Sequence, residues 1–235
     1  MTDLLYHTDS YAKEFTAQVV GHAPEQNGVV VDRTAFYPGG GGQPNDVGQL
    51  IVGDKVYSVT SVVRGNIHIV TGELPAVGTS VTGQLDWDRR YKLMRTHTAM
   101  HILCGVVWRD YGASVTGGNM EPLSGRMDFE FERMQKDLVD EIEAAINAEV
   151  AAARDIRVKI LPRDEAFKIP DLIRTKINLL PEGIPEVRTV EIVGLDLQAD
   201  GGTHVANTRE VGQIHITDYK SKGGINKRIY IEMDV

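Results

Sequence analysis

The sequence predicts an α+β protein in two parts: a small all-β domain over residues 1–88 and an α+β domain over residues 89–235. Three observations carry that expectation. Short runs rich in valine and threonine, separated at close intervals by glycine, proline and asparagine, fill the first part. The character changes at Asp86-Trp87-Asp88-Arg89-Arg90, after which apolar residues recur at helical spacing. Beyond that point helices and strands mix without a regular βαβ rhythm.

The runs FTAQVV, GVVVDR, GQLIV, KVYSVTSVV and NIHIV read as strands of a small barrel or sandwich. Leu93, Met94, Met100, Leu103, Val106 and Val107 then mark a helix reaching Trp108, with few breakers before Gly112. A second helix is expected from Gln135 to Arg154, with Leu138, Ile142, Ala145, Ile146, Glu149 and Val150 along one side. Ile156 to Leu161 reads as a strand and Arg163 to Phe167 as a short helix. Later strands are expected at Val187–Ile192, Val211–Tyr219 and Ile229–Met233. No internal repeat or low-complexity tract stands out.

At 235 residues, with 42% hydrophobic and 25% charged, the chain has the composition of a globular protein with real cores. The N-terminal segment has neither a basic leader nor a long apolar run, and no stretch approaches the ~18 apolar residues of a membrane helix. The single cysteine, Cys104, excludes an intrachain disulfide and fits a cytoplasmic location. A net charge of −8 argues mildly against nucleic acid as partner. Locally the picture differs: Arg89, Arg90, Lys92 and Arg95 cluster before a histidine pair, and Lys220, Lys222, Lys227 and Arg228 cluster near the C-terminus. Such clusters are either solvated faces or phosphate contacts.

Three constellations carry chemistry. In His97-Thr-Ala-Met-His101, two histidines at i and i+4 share one helix face, so both imidazoles can reach one metal. Alone the pair is a weak signal that more often marks two histidines packed or hydrogen-bonded separately, and it lacks the glutamate of a zincin protease. Asp200-Gly201-Gly202-Thr203-His204 reads as a tight turn presenting a carboxylate and an imidazole; its bland alternative is a strand-linking turn. Together the two supply up to four N and O ligands, as a zinc site requires. Cys104 shares the helical face but lies about 10 Å along the axis from His97, so it reads as a buried, inert thiol. The third constellation, Phe36-Tyr-Pro-Gly-Gly-Gly-Gly-Gln-Pro-Asn-Asp46, is a glycine loop without the GK[ST] of a phosphate-binding loop.

FYPGGGGQPND (36–46), RTHTAMHIL (95–103), NMEPLSGRMDF (119–129), LQADGGTHVANTREVG (197–212) and SKGGINKRIYIE near the C-terminus, in this order, resemble the alanyl-tRNA synthetase editing domain and its free-standing relatives, the AlaX proteins, of the medium-length type. The resemblance spans essentially the whole chain. It implies a translation-factor-like barrel followed by the editing domain shared by threonyl- and alanyl-tRNA synthetases, acting on serine, and sometimes glycine, mischarged onto alanine tRNA. It implies one Zn²⁺ per chain held by His97, His101 and His204. The family usually has cysteine at the fourth position, where this chain has Asp200. Aspartate can ligate directly, hold a water at the metal, or leave the position open. A metal there would polarise substrate or water, or read the substrate's α-amino group.

The remaining expectations follow from these segments. Thr203 and Asp200 are the catalytic candidates; Gly201, Gly202, Arg126 and Asp128 are candidates for binding the substrate. Gly40, Gly41, Gly42, Gln43, Arg89, Arg90, Lys222, Lys227 and Arg228 are candidates for contacting tRNA. No serine or cysteine nucleophile with a partner histidine is evident, so hydrolysis without a covalent intermediate is expected. The alternatives are a zinc hydrolase of a small ester or amide, and a non-catalytic tRNA-binding module.

Overall fold

The computed structural model describes residues 2–132, 134–175, 180 and 183–235. The chain divides into two compact units, Met1–Lys92 and Leu93–Val235.

The first unit holds β1 (Asp3–Leu4), β2 (Glu14–Ala23), β3 (Gly28–Val31), β4 (Arg33–Thr34), β5 (Gly48–Val52), β6 (Lys55–Val63), β7 (Ile67–Val70) and β8 (Ser80–Leu85). Six of these close an antiparallel barrel in the order β2-β3-β7-β6-β5-β8, while β1 and β4 form a short parallel pair. The alternation is plain in β2, where Phe15, Ala17 and Val19 point inward and Glu14, Thr16 and Gln18 outward. Inward residues from every barrel strand, among them Val31, Leu50, Val59, Val70 and Val81, meet Phe36 in one apolar cluster. Closure leaves the barrel no open edge, which is how so short a set of strands becomes stable. The buried imidazole of this unit, His68, is satisfied by Thr34 Oγ1 at 2.8 Å and Val29 O at 3.3 Å.

A long helix, α1 (Trp87–Tyr111), begins in the first unit and continues in the second. It ends where Gly112 takes φ 62° and donates its N–H to Trp108 O, a left-handed cap that glycine adopts without strain. Residues 96–107 of α1 are buried on every side, as in a helix enclosed by its domain rather than lying on its surface. Its polar side chains in that stretch therefore need partners inside the protein.

The second unit adds β9 (Val115–Glu121), β10 (Ser124–Glu130), α2 (Lys136–Ala151), β11 (Ile156–Pro162), α3 (Arg163–Ala166), β12 (Glu186–Ile192), β13 (Asp196–Ala199), β14 (Ile214–Ser221) and β15 (Asn226–Met233). They build a four-stranded sheet, β14-β15-β10-β9, and a three-stranded sheet, β11-β12-β13. The α+β class holds. Three local expectations change. The buried face of α2 runs through Val139, Ile142, Ile146 and Glu149 rather than Leu138. Glu149 tolerates burial because Arg109 and Arg154 both grip its carboxylate. The strand expected from Val211 starts at Ile214, because Thr208–Val211 forms a 3₁₀ turn closed by a capping box between Asn207 and Glu210. The strand β13 was not expected, and it carries part of the site described next.

Candidate metal centre

Helix α1 places His97 and His101 one turn apart, with ring centroids 5.1 Å from each other. The loop leaving β13 brings Asp200 and His204 to the same point. His204 stacks on His97 at 4.2 Å and meets His101 edge-on at 4.6 Å. His204 Nε2 lies 3.1 Å from Asp200 Oδ2, and His97 Nε2 lies 3.5 Å from Asp200 Oδ1. One ligand atom from each of the four residues falls within 4.8 Å of all the others. Four donors at ~2.0–2.2 Å around a tetrahedral ion stand about 3.3 Å apart, and the 3.1 Å from His204 Nε2 to Asp200 Oδ2 is near that spacing. These four residues can bind a metal. Three imidazoles and a carboxylate form a donor set that zinc accepts.

Electrostatics favours the ligating forms of His97, Asp200 and His204. Burial lowers the His204 imidazole to about 4, so its nitrogen lone pair is free of a proton at neutral pH. Burial also takes His97 well below its ordinary value. Burial alone would raise the Asp200 carboxyl, but the facing His97 ring and the His204 hydrogen bond hold it well below the usual carboxylate range. Arg188 lends further positive charge: its Nη1 donates to the Asp200 backbone carbonyl at 2.9 Å and lies 3.7 Å from Oδ2. His101 behaves differently, because Asp196 and Asp200 together outweigh burial and raise it.

The centre has outer partners as well. Thr98 Oγ1 lies 3.2 Å from His204 Nδ1 and accepts the Val205 N–H at 3.3 Å. Asp196 Oδ2 lies 3.3 Å from His101 Nδ1. None of Thr98, Arg188 and Asp196 was expected. The available signal was the period of two in Asp196-Leu-Gln-Ala-Asp200, which puts Asp196, Gln198 and Asp200 on one side of an extended segment. Cys104 is buried and lies outside the four-residue group, and burial pushes its thiol up.

Several of the other candidate contact residues are buried or already engaged. Gly202 N–H donates to Asp200 Oδ2 at 2.8 Å, so this amide shapes the turn. Gly201 is exposed, whereas Thr203 is fully enclosed. Arg126 and Asp128 project from the face of β10 opposite to buried Met127 and Phe129. There both Asp128 oxygens are taken by Arg228, at 2.6 and 2.7 Å, and Arg126 Nη1 is 3.6 Å from the same carboxylate. Neither residue joins the metal group, and Arg228 is committed to Asp128. Lys227 is buried with Nζ on Gly224 O at 2.6 Å, so it too is unavailable to a phosphate. Arg90 is 0% exposed, pairs with Asp46, and donates to Ser10 O and Ala35 O. It is an internal clamp. Gln43 is buried.

Gly40 and Gly41 are exposed at the tip of the glycine loop and Gly42 is half-buried. All four glycines, Gly39 to Gly42, have positive φ between 58° and 129°, a path that side-chain-bearing residues resist. Arg89 is half-buried and Lys222 exposed. Among the described residues, no helix is long and apolar enough to cross a membrane.

Residues 187–230 match the family described as "Threonyl and Alanyl tRNA synthetase second additional domain", and residues 7–89 match "tRNA synthetases class II (A)". The chain is similar to "Alanyl-tRNA editing protein AlaX-M" of Saccharolobus solfataricus, 42% identical over 98% of each chain. It is similar to the protein of the same name from Methanosarcina barkeri, 36% identical over 99% of each. It is also similar to "Alanine--tRNA ligase" of Ignicoccus hospitalis, 38% identical over 92% of this chain and 24% of that one.

Proposed function

This chain belongs to the AlaX family of alanyl-tRNA editing proteins, and from that premise we propose that it is an aminoacyl-tRNA deacylase acting on mischarged alanine tRNA. The preferred substrate in this reading is Ser-tRNA(Ala), with Gly-tRNA(Ala) second, and the enzyme works in trans in the cytoplasm. Residues 1–88 serve as the barrel domain with the glycine motif, and residues 89–235 as the deacylase domain. One Zn²⁺ per chain is held by His97, His101, His204 and Asp200. The observation that carries the reading is the convergence of those four ligand atoms within 4.8 Å.

The reaction is hydrolysis of an ester. Water adds to the carbonyl carbon, the bond to the ribose oxygen breaks, and free amino acid and tRNA leave. A bound zinc would supply Lewis acidity to the carbonyl and lower the pKa of water. Asp200 carries negative charge into the group of imidazoles and, by accepting from Gly202 N–H, keeps the turn closed. Arg188 fixes that turn from behind through the Asp200 carbonyl. Thr203 is assigned a hydroxyl role on the same turn. A site that hydrogen-bonds a serine hydroxyl can spare alanine, because alanine leaves the site's polar group unpaired. Exposed Lys222 and half-buried Arg89 meet phosphates, with Gly40, Gly41 and Gly42 offering close backbone approach.

Deacylation of seryl-, glycyl- and alanyl-tRNA(Ala), measured side by side with a His97→Ala control, tests this. Seryl-tRNA should be cleaved fastest and alanyl-tRNA spared. Chelation should abolish turnover and added zinc restore it. Full activity in verified metal-free protein, or equal cleavage of alanyl-tRNA, would overturn the proposal.

A further inference from the structure

We propose that Asp196 is a positioning residue for the metal centre: it holds His101 in the tautomer and orientation that aim Nε2 at the ligand group. The inference rests on the metal reading above and extends it to a residue outside the four ligands.

The geometry is specific. The Asp196 side chain is 0% exposed, and its Oδ2 lies 3.3 Å from His101 Nδ1. That distance is within ion-pair range, although the approach is off the line of a formed hydrogen bond; His101 Nδ1 is buried and has no other hydrogen-bond acceptor among the described residues. A buried ring N–H without a partner is costly, so the carboxylate beside it is the group that can satisfy it. A proton kept on Nδ1 leaves the lone pair on Nε2, the atom His97 and His204 also present to Asp200.

Asp196 is itself held. Gln198 Nε2 donates to Oδ2 at 2.6 Å, and Arg174 Nε reaches Oδ1 at 3.4 Å. Arg174 in turn lies over the Trp108 ring at 4.8 Å. The carboxylate therefore cannot swing away to become a fifth ligand without breaking both contacts. The helix makes room for it: a Cβ at Gly105, one turn beyond His101, would stand 3.0 Å from Asp196 Cβ and 2.9 Å from Leu195 Cγ. Glycine inside an enclosed helix is less favourable than alanine. Here it lets the start of β13 come close enough for the carboxylate to reach His101.

Carboxylates and carbonyls behind a ligating histidine typically change metal affinity about 10–100-fold when removed. Asp196→Ala should weaken zinc affinity by that factor, read by competition with a chromophoric chelator, and should alter the visible spectrum of the Co²⁺-substituted protein. Asp196→Asn, whose amide oxygen can still accept from Nδ1, should fall between. Gly105→Ala keeps every polar group but crowds Asp196, and should shift affinity the same way. Melting of the metal-free proteins controls for general damage, and the wild type and Asp196→Asn should agree within a few degrees. If wild type binds zinc and both Asp196→Ala and Gly105→Ala bind it within threefold with an unchanged Co²⁺ spectrum, the positioning role is overturned alone. Wild-type protein that binds no zinc overturns the metal reading and this inference with it. Should Asp196→Ala not fold, Asp196→Asn and Gly105→Ala decide the question by the same readouts.

Discussion

Replacing Asp46 by alanine would leave a guanidinium buried without its counter-charge. Arg90 is 0% and Asp46 2% exposed at the side chain. Arg90 Nε donates to both Asp46 oxygens at 2.9 Å, Nη2 pairs with Oδ2, and the other donors go to Ser10 O and Ala35 O. Removing one partner of such a pair costs about 3–5 kcal/mol, because the stranded charge cannot recover its hydration. Tyr37 N–H, which donates to Asp46 Oδ2 at 2.6 Å, also loses its acceptor. For a chain of this length each kcal/mol moves the melting temperature by about 2–4 °C, so a fall of roughly 6–20 °C is expected. Thermal and urea unfolding followed by circular dichroism would measure it. The control is the double variant Asp46→Leu with Arg90→Met, which removes both charges and should recover most of the loss. A single variant within about 3 °C of wild type, or a double variant less stable than the single, would refute the clamp. The site has a functional side too. Asp46 N–H donates to Tyr37 O, so residues 37 and 46 tie the base of the glycine loop in both directions.

Three further outcomes are expected. His68 is lowered by burial from 6.5 to about 4, so the unfolded chain binds the extra proton between those values. Its contribution to stability is complete above pH 6.5, falls as the pH drops, and levels off near pH 4 at a loss of about 3 kcal/mol. An NMR titration of the His68 ring with a midpoint above about 6 would contradict this. Thr203→Val keeps the shape of an enclosed side chain while deleting its hydroxyl. Seryl-tRNA cleavage should fall at least about tenfold, equivalent to one lost hydrogen bond in the transition state, and an unchanged kcat/KM would remove Thr203 from the site. Deacylation at limiting enzyme should fall steeply with added salt, and Lys222→Ala should flatten that slope by about one phosphate contact. A flat salt profile in wild type would argue against a tRNA substrate.

Much of the fold was legible because the features that reveal it are local. Period-two alternation in FTAQVV marks β2 whatever it pairs with, and helical spacing from Leu93 marks α1 whatever encloses it. The i, i+4 spacing of His97 and His101 puts both on one face by helix geometry alone. The Asp200–His204 turn was readable in the same way, because its glycines and its four-residue span are local facts.

What the amino-acid order by itself determined, then, is which residues have the chemistry and which neighbours share a face. Only the tertiary structure decided which of them meet. Arg90 and Lys227 read as surface cations until folding buries one against Asp46 and the other on Gly224 O. Asp128 and Arg228, 100 residues apart, cancel each other across β10 and β15. Asp196 reads as a polar residue in an unremarked segment until β13 sets it against His101, in space left by Gly105. The physical reason is the same in each case. A side chain's charge and reach are local properties, whereas its desolvation and its partner depend on contacts between segments distant in sequence, which no local pattern records.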